Sequence, residues 1–269
     1  MKELVKKAYK WSNSWTGTIV IVLFVIFFVA QAFRIPSGSM KDSLLIGDHL
    51  FAKKFAYGIP MPHIPFLEMS IMPWSDSLRL MDGDTPERGD IVIFRYPGNV
   101  KQHFVKRCVA LPDDELFVAD KNLFIHFSEG DDWIKENYSG FEIAVYEEKL
   151  WVKNPYEKAH KGIHHDDKIV NDGQYPMPVF YLNPIKVEKD SYFMMGDNRD
   201  HSNDSRFWGS VPYENIEGTP WFIYFSIDEN WEIRWDRVGK TPTDLEQAPY
   251  LDKAIQERIK TDKDYYGIT

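Results

Sequence analysis

"GDIVIFRYPGNVKQHFVKRCVALP", Gly89 to Pro112, carries two runs of β-branched and aromatic residues. The first, Ile91 to Tyr96, lies between a Gly-Asp turn signal and a Pro-Gly one. The second, "HFVKRCVAL", stops at Pro112. Both are short, and their residue types suit a pleated, half-buried surface, so both read as strands. Working outward, "HLFAKKFAY" from His49 and "SYFMMGD" from Ser191 repeat the pattern. "PWFIYFSI" and "NWEIRWDRVG" are expected to pair as a hairpin across Asp228, Glu229 and Asn230. A helical period occurs only after Pro249, where Leu251, Ile255 and Ile259 recur at i, i+4 and i+8. The chain therefore reads as mainly β.

Bulk properties narrow the function. The 269 residues allow one large domain or two small ones, and aromatics at 15% again favour sheet. The formal net charge of −9 argues against a nucleic-acid partner, which needs a basic face. Cys108 is the single cysteine, so no internal disulfide forms.

The N-terminus is amphipathic along its length. Lys2, Lys6, Lys7 and Lys10 precede a span from Trp11 to Phe33 with no charge, and its centre, "TIVIVLFVIFFVAQAF", is strongly apolar. A helix needs about 20 such residues to cross a bilayer. Lysines ahead of the span favour a cytoplasmic N-terminus. A cleavable signal peptide is the competing reading, because Ala30-Gln31-Ala32 matches an A-x-A cleavage pattern.

Two stretches read as insertions. Residues 59–87 mix Pro, Met and bulky apolar groups without a period, and residues 118–188 are rich in charge and turn residues. The cluster "HKGIHHDDK" within the second reads as a solvated loop. His160 and His164 have i, i+4 spacing but no helical pattern around them, so no metal or other cofactor is expected.

Immediately after the apolar span comes "RIPSGSMKDSLLIGD", Arg34 to Asp48, with Ser37, Ser39 and Ser43. A serine hydroxyl needs a base before it can attack a carbonyl. Among the histidines, His49, His103 and His201 lack a nucleophile-elbow or other triad context, although triad order in sequence is not fixed. Lysine is the other base, provided burial among apolar groups lowers its pKa. Lys106 sits among Phe104, Val105, Cys108, Val109 and Leu111, unlike most lysines here. Alternation alone leaves open whether Lys106 or Arg107 faces inward. "MGDNRDHSNDSRFWGSVP", residues 195–212, reads as a tight, internally paired loop. It fails the EF-hand pattern: from Asp200, Ser205 and Val211 occupy the glycine and glutamate positions.

Together, the N-terminal span, "PSGSM", "RGDIVIFRYP", "KRCVALP" and "GDNRDHSNDSRFWGSVP" occur in the order found in bacterial type I signal peptidases, and the chain resembles that membrane-bound Ser/Lys protease family. The resemblance is thin over 59–87, 118–188 and after Gly239. It implies Ser39 as nucleophile and Lys106 as general base. It implies an oxyanion hole from the Ser39 N–H and the Ser37 hydroxyl, with Ser202 orienting the lysine. Arg107, Gly196, Asp197, Asp204 and Arg206 are implied as support. Two departures touch loops: Asp42-Ser43 where the family usually has proline, and Asp113 where it usually has glycine.

The resemblance further implies a retained anchor at 11–33 after a cytoplasmic 1–10. It implies an antiparallel β catalytic domain over 34–117 and 189–240, a smaller inserted β-rich cap region at 118–188, and a C-terminal tail with a short helix at 241–269. The implied setting is the bacterial inner membrane, single-pass, with the catalytic part on the periplasmic side. The implied partners are preproteins, membrane lipid and, in passing, the export machinery; the apolar 59–73 stretch is a candidate for headgroup contact. The implied reaction is cleavage after small residues at A-x-A sites. Other readings are a conjugation-pilus type Ser/Lys peptidase, a self-cleaving repressor, and a tethered, non-catalytic peptide-binding domain.

Overall fold

The structure, a computed structural model, describes residues 2–64, 69–72 and 77–265. Helix α1 (Lys2–Ser12) meets α2 (Trp15–Phe24) at an 87° bend, and a π-helical turn follows at Val25–Val29. Ser14 causes the break: its extended backbone caps α2 and its side chain accepts from Gly17 N. At Gly17 the backbone presses against Trp11 O, where a Cβ would sit 2.0 Å away.

The apolar helix is therefore shorter than expected from 11–33. Residues Ala30–Arg34 leave it as strand β1, which pairs with β2 (Asp48–Lys53) from Ala30↔Lys53 to Arg34↔His49. Pairing wins here because β1 supplies an edge to an existing sheet. Among the described residues no single helix is long and apolar enough to cross a membrane; the bent pair passes only as a pair.

Two short ribbons follow: β3 (Gly58–Pro60) with β6 (Arg79–Asp82), and β4 (His63–Ile64) with β5 (Met69–Ser70). Arg79 anchors the first of them, donating to Ile216 O at 2.6 Å and lying over the Tyr213 ring. Parts of the 59–87 stretch, 65–68 and 73–76, lie outside the described residues.

The central run becomes β7 (Ile91–Tyr96) and β8 (Asn99–Ala110), paired in register with Val92 opposite Lys106. With β14 (Ser191–Met195), β15 (Val211–Pro212) and β16 (Ile216–Ser226) they complete a seven-stranded antiparallel sheet, order β1-β2-β16-β7-β8-β14-β15. The second sheet has five strands, order β11-β12-β10-β9-β13. Its members are β9 (Glu115–Ala119), β10 (Asn122–His126), β11 (Ile143–Tyr146), β12 (Lys149–Lys153) and β13 (Tyr181–Lys186). Helix α3 (Asp131–Asn137) packs beside them through buried Ile134. The two sheets share one apolar cluster, in which Val109, Phe193 and Met195 of the first meet Leu116, Val118 and Ile125 of the second.

Beyond β16 the expected hairpin reduces to one bridge, Ile227↔Ile233. Asp228 folds the turn by accepting from Asn230 N and Glu232 N, and Arg237 is drawn inward to buried Asp48 at 2.7 Å, which bends the second run into a 3-10 turn. The chain ends in α5 (Pro242–Leu245) and α6 (Tyr250–Tyr265), after the short α4 (Ser205–Trp208) of the earlier loop. In α6 Leu251 and Ala254 are buried, whereas Ile259 is 40% exposed, so the inward stripe is not the one its isoleucines suggest.

Both departures from the family pattern sit at left-handed backbone. Asp113 has φ +68°, where glycine is easiest and Asp is among the better-tolerated alternatives. Asp42 has φ +79°, which a proline ring cannot adopt, so a chain with proline at this position turns differently.

Candidate active site

Three segments converge. The first is the 3-10 turn Gly38–Met40, which places Ser39 at the sheet surface, 9% exposed. The second is β8. Alternation along it sends Lys106 to one face and Arg107 to the other, and both are buried. The third is the loop 196–206.

Lys106 Nζ lies 2.7 Å from Ser39 Oγ and also donates to Val105 O at 3.1 Å. Burial pulls the Lys106 pKa from 10.5 down to about 8; Asp204 and Asp197 oppose the drop and Arg206 adds to it. A lysine so placed is partly neutral near neutral pH and can accept a proton. Ser37 Oγ stands 3.5 Å from Ser39 Oγ on the outer side. Neither nearby histidine reaches Ser39: His103 faces Glu217 at 3.0 Å and His201 faces Asp166 at 3.0 Å.

On the opposite face Arg107 forms a two-pronged pair with Asp197, at 2.8 and 2.7 Å, and donates to Gly89 O. Burial resists ionisation of Asp197, but the guanidinium outweighs it and holds the carboxyl below its ordinary pKa. Asp204 is likewise held low against burial by Arg206, which it meets at 2.8 and 2.9 Å. Asp204 also accepts from Gly196 N at 3.0 Å, so this second pair fixes the loop's own shape. Paired, hydrogen-bonded charges of this kind tolerate burial, whereas removing one partner strands the other.

The Lys106 amine is engaged by Ser39 Oγ and Val105 O, while buried Ser202 lies beside Asp204 and helps hold that carboxyl low. Gly196 explains how close the segments come: a Cβ there would stand 2.3 Å from Ser202 Oγ and 2.5 Å from Ser39 O. Gly196→Ala must therefore push the Ser39 turn away from the loop. It should lower kcat between about ten- and a hundredfold in a steady-state assay.

Several residues that hold the site were missed from sequence. Asn198 ties the loop to the Ser39 turn, donating from N to Ser39 O at 3.1 Å and from Nδ2 to Gly38 O at 3.0 Å. Ser43 Oγ donates to Asp197 at 2.5 Å. The His/Asp cluster is not a solvated loop. His164 bridges backbone to backbone with Asp197 and Arg199, and Asp200 accepts from Lys121 at 2.9 Å and faces His165 at 3.1 Å. The insertion is thus docked on the 196–206 loop. Asn198 lies within a quoted motif and was findable; the His164 contact joins distant segments and was not.

A cleft of about 400 Å³ opens over Ser39 and Lys106, walled by Phe33, Ile35, Met40, Phe104 and Val105. Among the described residues no cluster of His, Cys, Asp or Glu is arranged to hold a metal ion.

The family model described as signal peptidase, peptidase S26, matches residues 8–225. The chain belongs to the S26 signal peptidase family. It is thus a serine endopeptidase. Signal peptidase I of Helicobacter pylori strain J99 is 38% identical, over 94% of this chain and 99% of the relative. That of Pseudomonas fluorescens is 34% identical, over 82% of this chain and 73% of the relative. A solved signal peptidase I from Enterococcus faecalis is 25% identical, covering 51% of this chain and 97% of its own, with a TM-score of 0.32.

Proposed function

We propose that this S26 peptidase removes signal peptides from exported preproteins with Ser39 as nucleophile and Lys106 as general base. The supporting observation is the 2.7 Å contact between Lys106 Nζ and Ser39 Oγ, with the lysine buried. Neutral Lys106 takes the Ser39 proton as Oγ bonds to the scissile carbonyl carbon. Negative charge then develops on the carbonyl oxygen, and the Ser39 N–H and Ser37 hydroxyl are suited to receive it. Protonated Lys106 passes its proton to the leaving amine as the C–N bond breaks. Water, deprotonated by the same lysine, then attacks the acyl carbon, and Lys106 returns the proton to Ser39 Oγ as the ester bond breaks. Ser202 is assigned the orienting of this amine, since a hydroxyl can both donate to it and accept from it.

Membrane anchoring is part of the same reading. Trp15, Ile19, Val20, Val22 and Phe24 are all about half exposed or more, so α2 is apolar around its circumference and needs an apolar medium. The lysines of α1 favour a cytoplasmic N-terminus, with the sheets on the other side. Strand β1 follows the apolar turn directly, and Ser39 comes six residues past Phe33, a reach of at most about 20 Å. Trp221 and Tyr224 of β16 are exposed on the same sheet, two strands along from β1.

The test is to incubate the full chain in detergent with a preprotein and map the new N-terminus by mass spectrometry. The cut should follow alanine or another small residue, with a second small residue two positions earlier. Leu or Phe at both positions should lower kcat/KM about a hundredfold. Equal processing of the bulky substrate would remove the small-residue part of the proposal.

A further inference from the structure

The family match ends at residue 225, yet the segment after it touches both halves of the site. Leu245 of α5 and Tyr250 of α6 pack in the cluster that holds Met40 and Leu44, just after Ser39. Arg258 of α6 donates to both oxygens of Asp42, at 3.2 and 2.9 Å. Asp42 is buried and also faces His164 at 3.4 Å. On the other side Glu246 accepts from Arg107, the neighbour of Lys106, and faces His160 Nδ1 at 2.9 Å. Two further pairs fasten α6 to the body, Arg234–Glu257 at 2.6 Å and Lys253–Asp236 at 2.9 Å.

We propose that residues 240–258 form a clamp for the catalytic pair, with Arg258 positioning the Ser39 turn through Asp42 and Glu246 positioning the Lys106 strand through Arg107. Asp42 supports this role by its backbone. Its left-handed φ of +79°, a conformation closed to a proline ring, goes with a carboxylate that meets Arg258 of the helix. The clamp acts on geometry: Ser39 and Lys106 must stay in hydrogen-bond contact, and small displacements of such a pair are costly. The inference rests on the Ser39/Lys106 assignment.

The experiment compares the full-length protein with Glu246→Gln, Arg258→Gln and Arg258→Lys in detergent, measuring kcat, KM and thermal unfolding on one preprotein. Glu246→Gln and Arg258→Gln should each lower kcat about tenfold with KM within about twofold. Their double variant should lose the product of the two, about a hundredfold, because the ties hold separate arms. Arg258→Lys should recover most of the loss. Variants that melt earlier but turn over like the parent per folded molecule would reduce the segment to a structural role and overturn the proposal. If Arg258→Gln does not fold, Asp42→Asn tests the same tie, since Asn tolerates left-handed backbone; unchanged kcat there overturns it as well. Ser39→Ala serves as the control. If it still cleaves, the Ser/Lys assignment has failed; if it is inactive and the clamp variants are normal, only the clamp has.

Discussion

Ser39→Ala and Lys106→Ala should each lower kcat by about 10⁴-fold or more, and Lys106→Arg should not recover it. Ser39 supplies the bond-forming oxygen, so its loss leaves only background hydrolysis. Members of a nucleophile–base pair act as a unit, so losing either costs nearly as much as losing both. Arginine keeps the positive charge and much of the length of lysine, but it stays protonated at any workable pH and cannot accept the Ser39 proton. Lys106→Met separates chemistry from folding. The folded pKa of about 8 lies below the ordinary 10.5. Between those values the unfolded chain binds more protons, so stability rises with pH across that window and is lowest below it. At pH 7 the buried amine thus costs on the order of 3 kcal/mol. Lys106→Met should melt at or above the parent temperature while remaining inactive. Substantial turnover by any of these variants, measured as product formed per enzyme, would sink the dyad.

The strands were legible because their chemistry is local. Ile91–Tyr96 and the run through Lys106 and Cys108 announce themselves by β-branched and aromatic content, and their register follows from the turn between them. The candidate site was suggested for a different reason: the resemblance concentrates in short motifs, and those motifs hold Ser39, Lys106 and the 196–206 loop, which the structure brings together. What escaped is set by long-range contact. Alternation could not choose between Lys106 and Arg107, because each is buried, one against Ser39 and the other against Asp197. The helix at 11–33 was overextended because residues 30–33 are apolar enough for either state, and only the presence of β2 decides for strand. Glu246, His164 and Arg258 could not be matched to their partners from sequence, because those partners are far away along the chain. The apparent departure at Asp42 read as a loop change, whereas its meaning lies in a helix more than 200 residues later.

Activity should rise with pH along an acid limb centred near 8. Lys106 must be neutral to take the Ser39 proton, and burial brings its pKa to about 8. Below that point the neutral fraction falls tenfold per pH unit, so kcat/KM at pH 5 should be about a thousandfold below its plateau. An unburied lysine would place the limb near 10.4, and a histidine base near 6.5. The charges around Lys106 set its position within that range: Asp204 and Asp197 hold the limb up, while desolvation and Arg206 pull it down. His103 and His201 both line the cleft, so they are the histidines that could act as base in place of Lys106. Replacing either with Asn should leave the limb where it is, because each faces a carboxylate and not Ser39. The profile belongs in uncharged detergent, since an anionic surface attracts protons and would shift the apparent limb upward. A limb near 6.5 that disappears in His103→Asn or His201→Asn would assign the base to histidine. It would leave the 2.7 Å contact between Lys106 and Ser39 without a role in the chemistry.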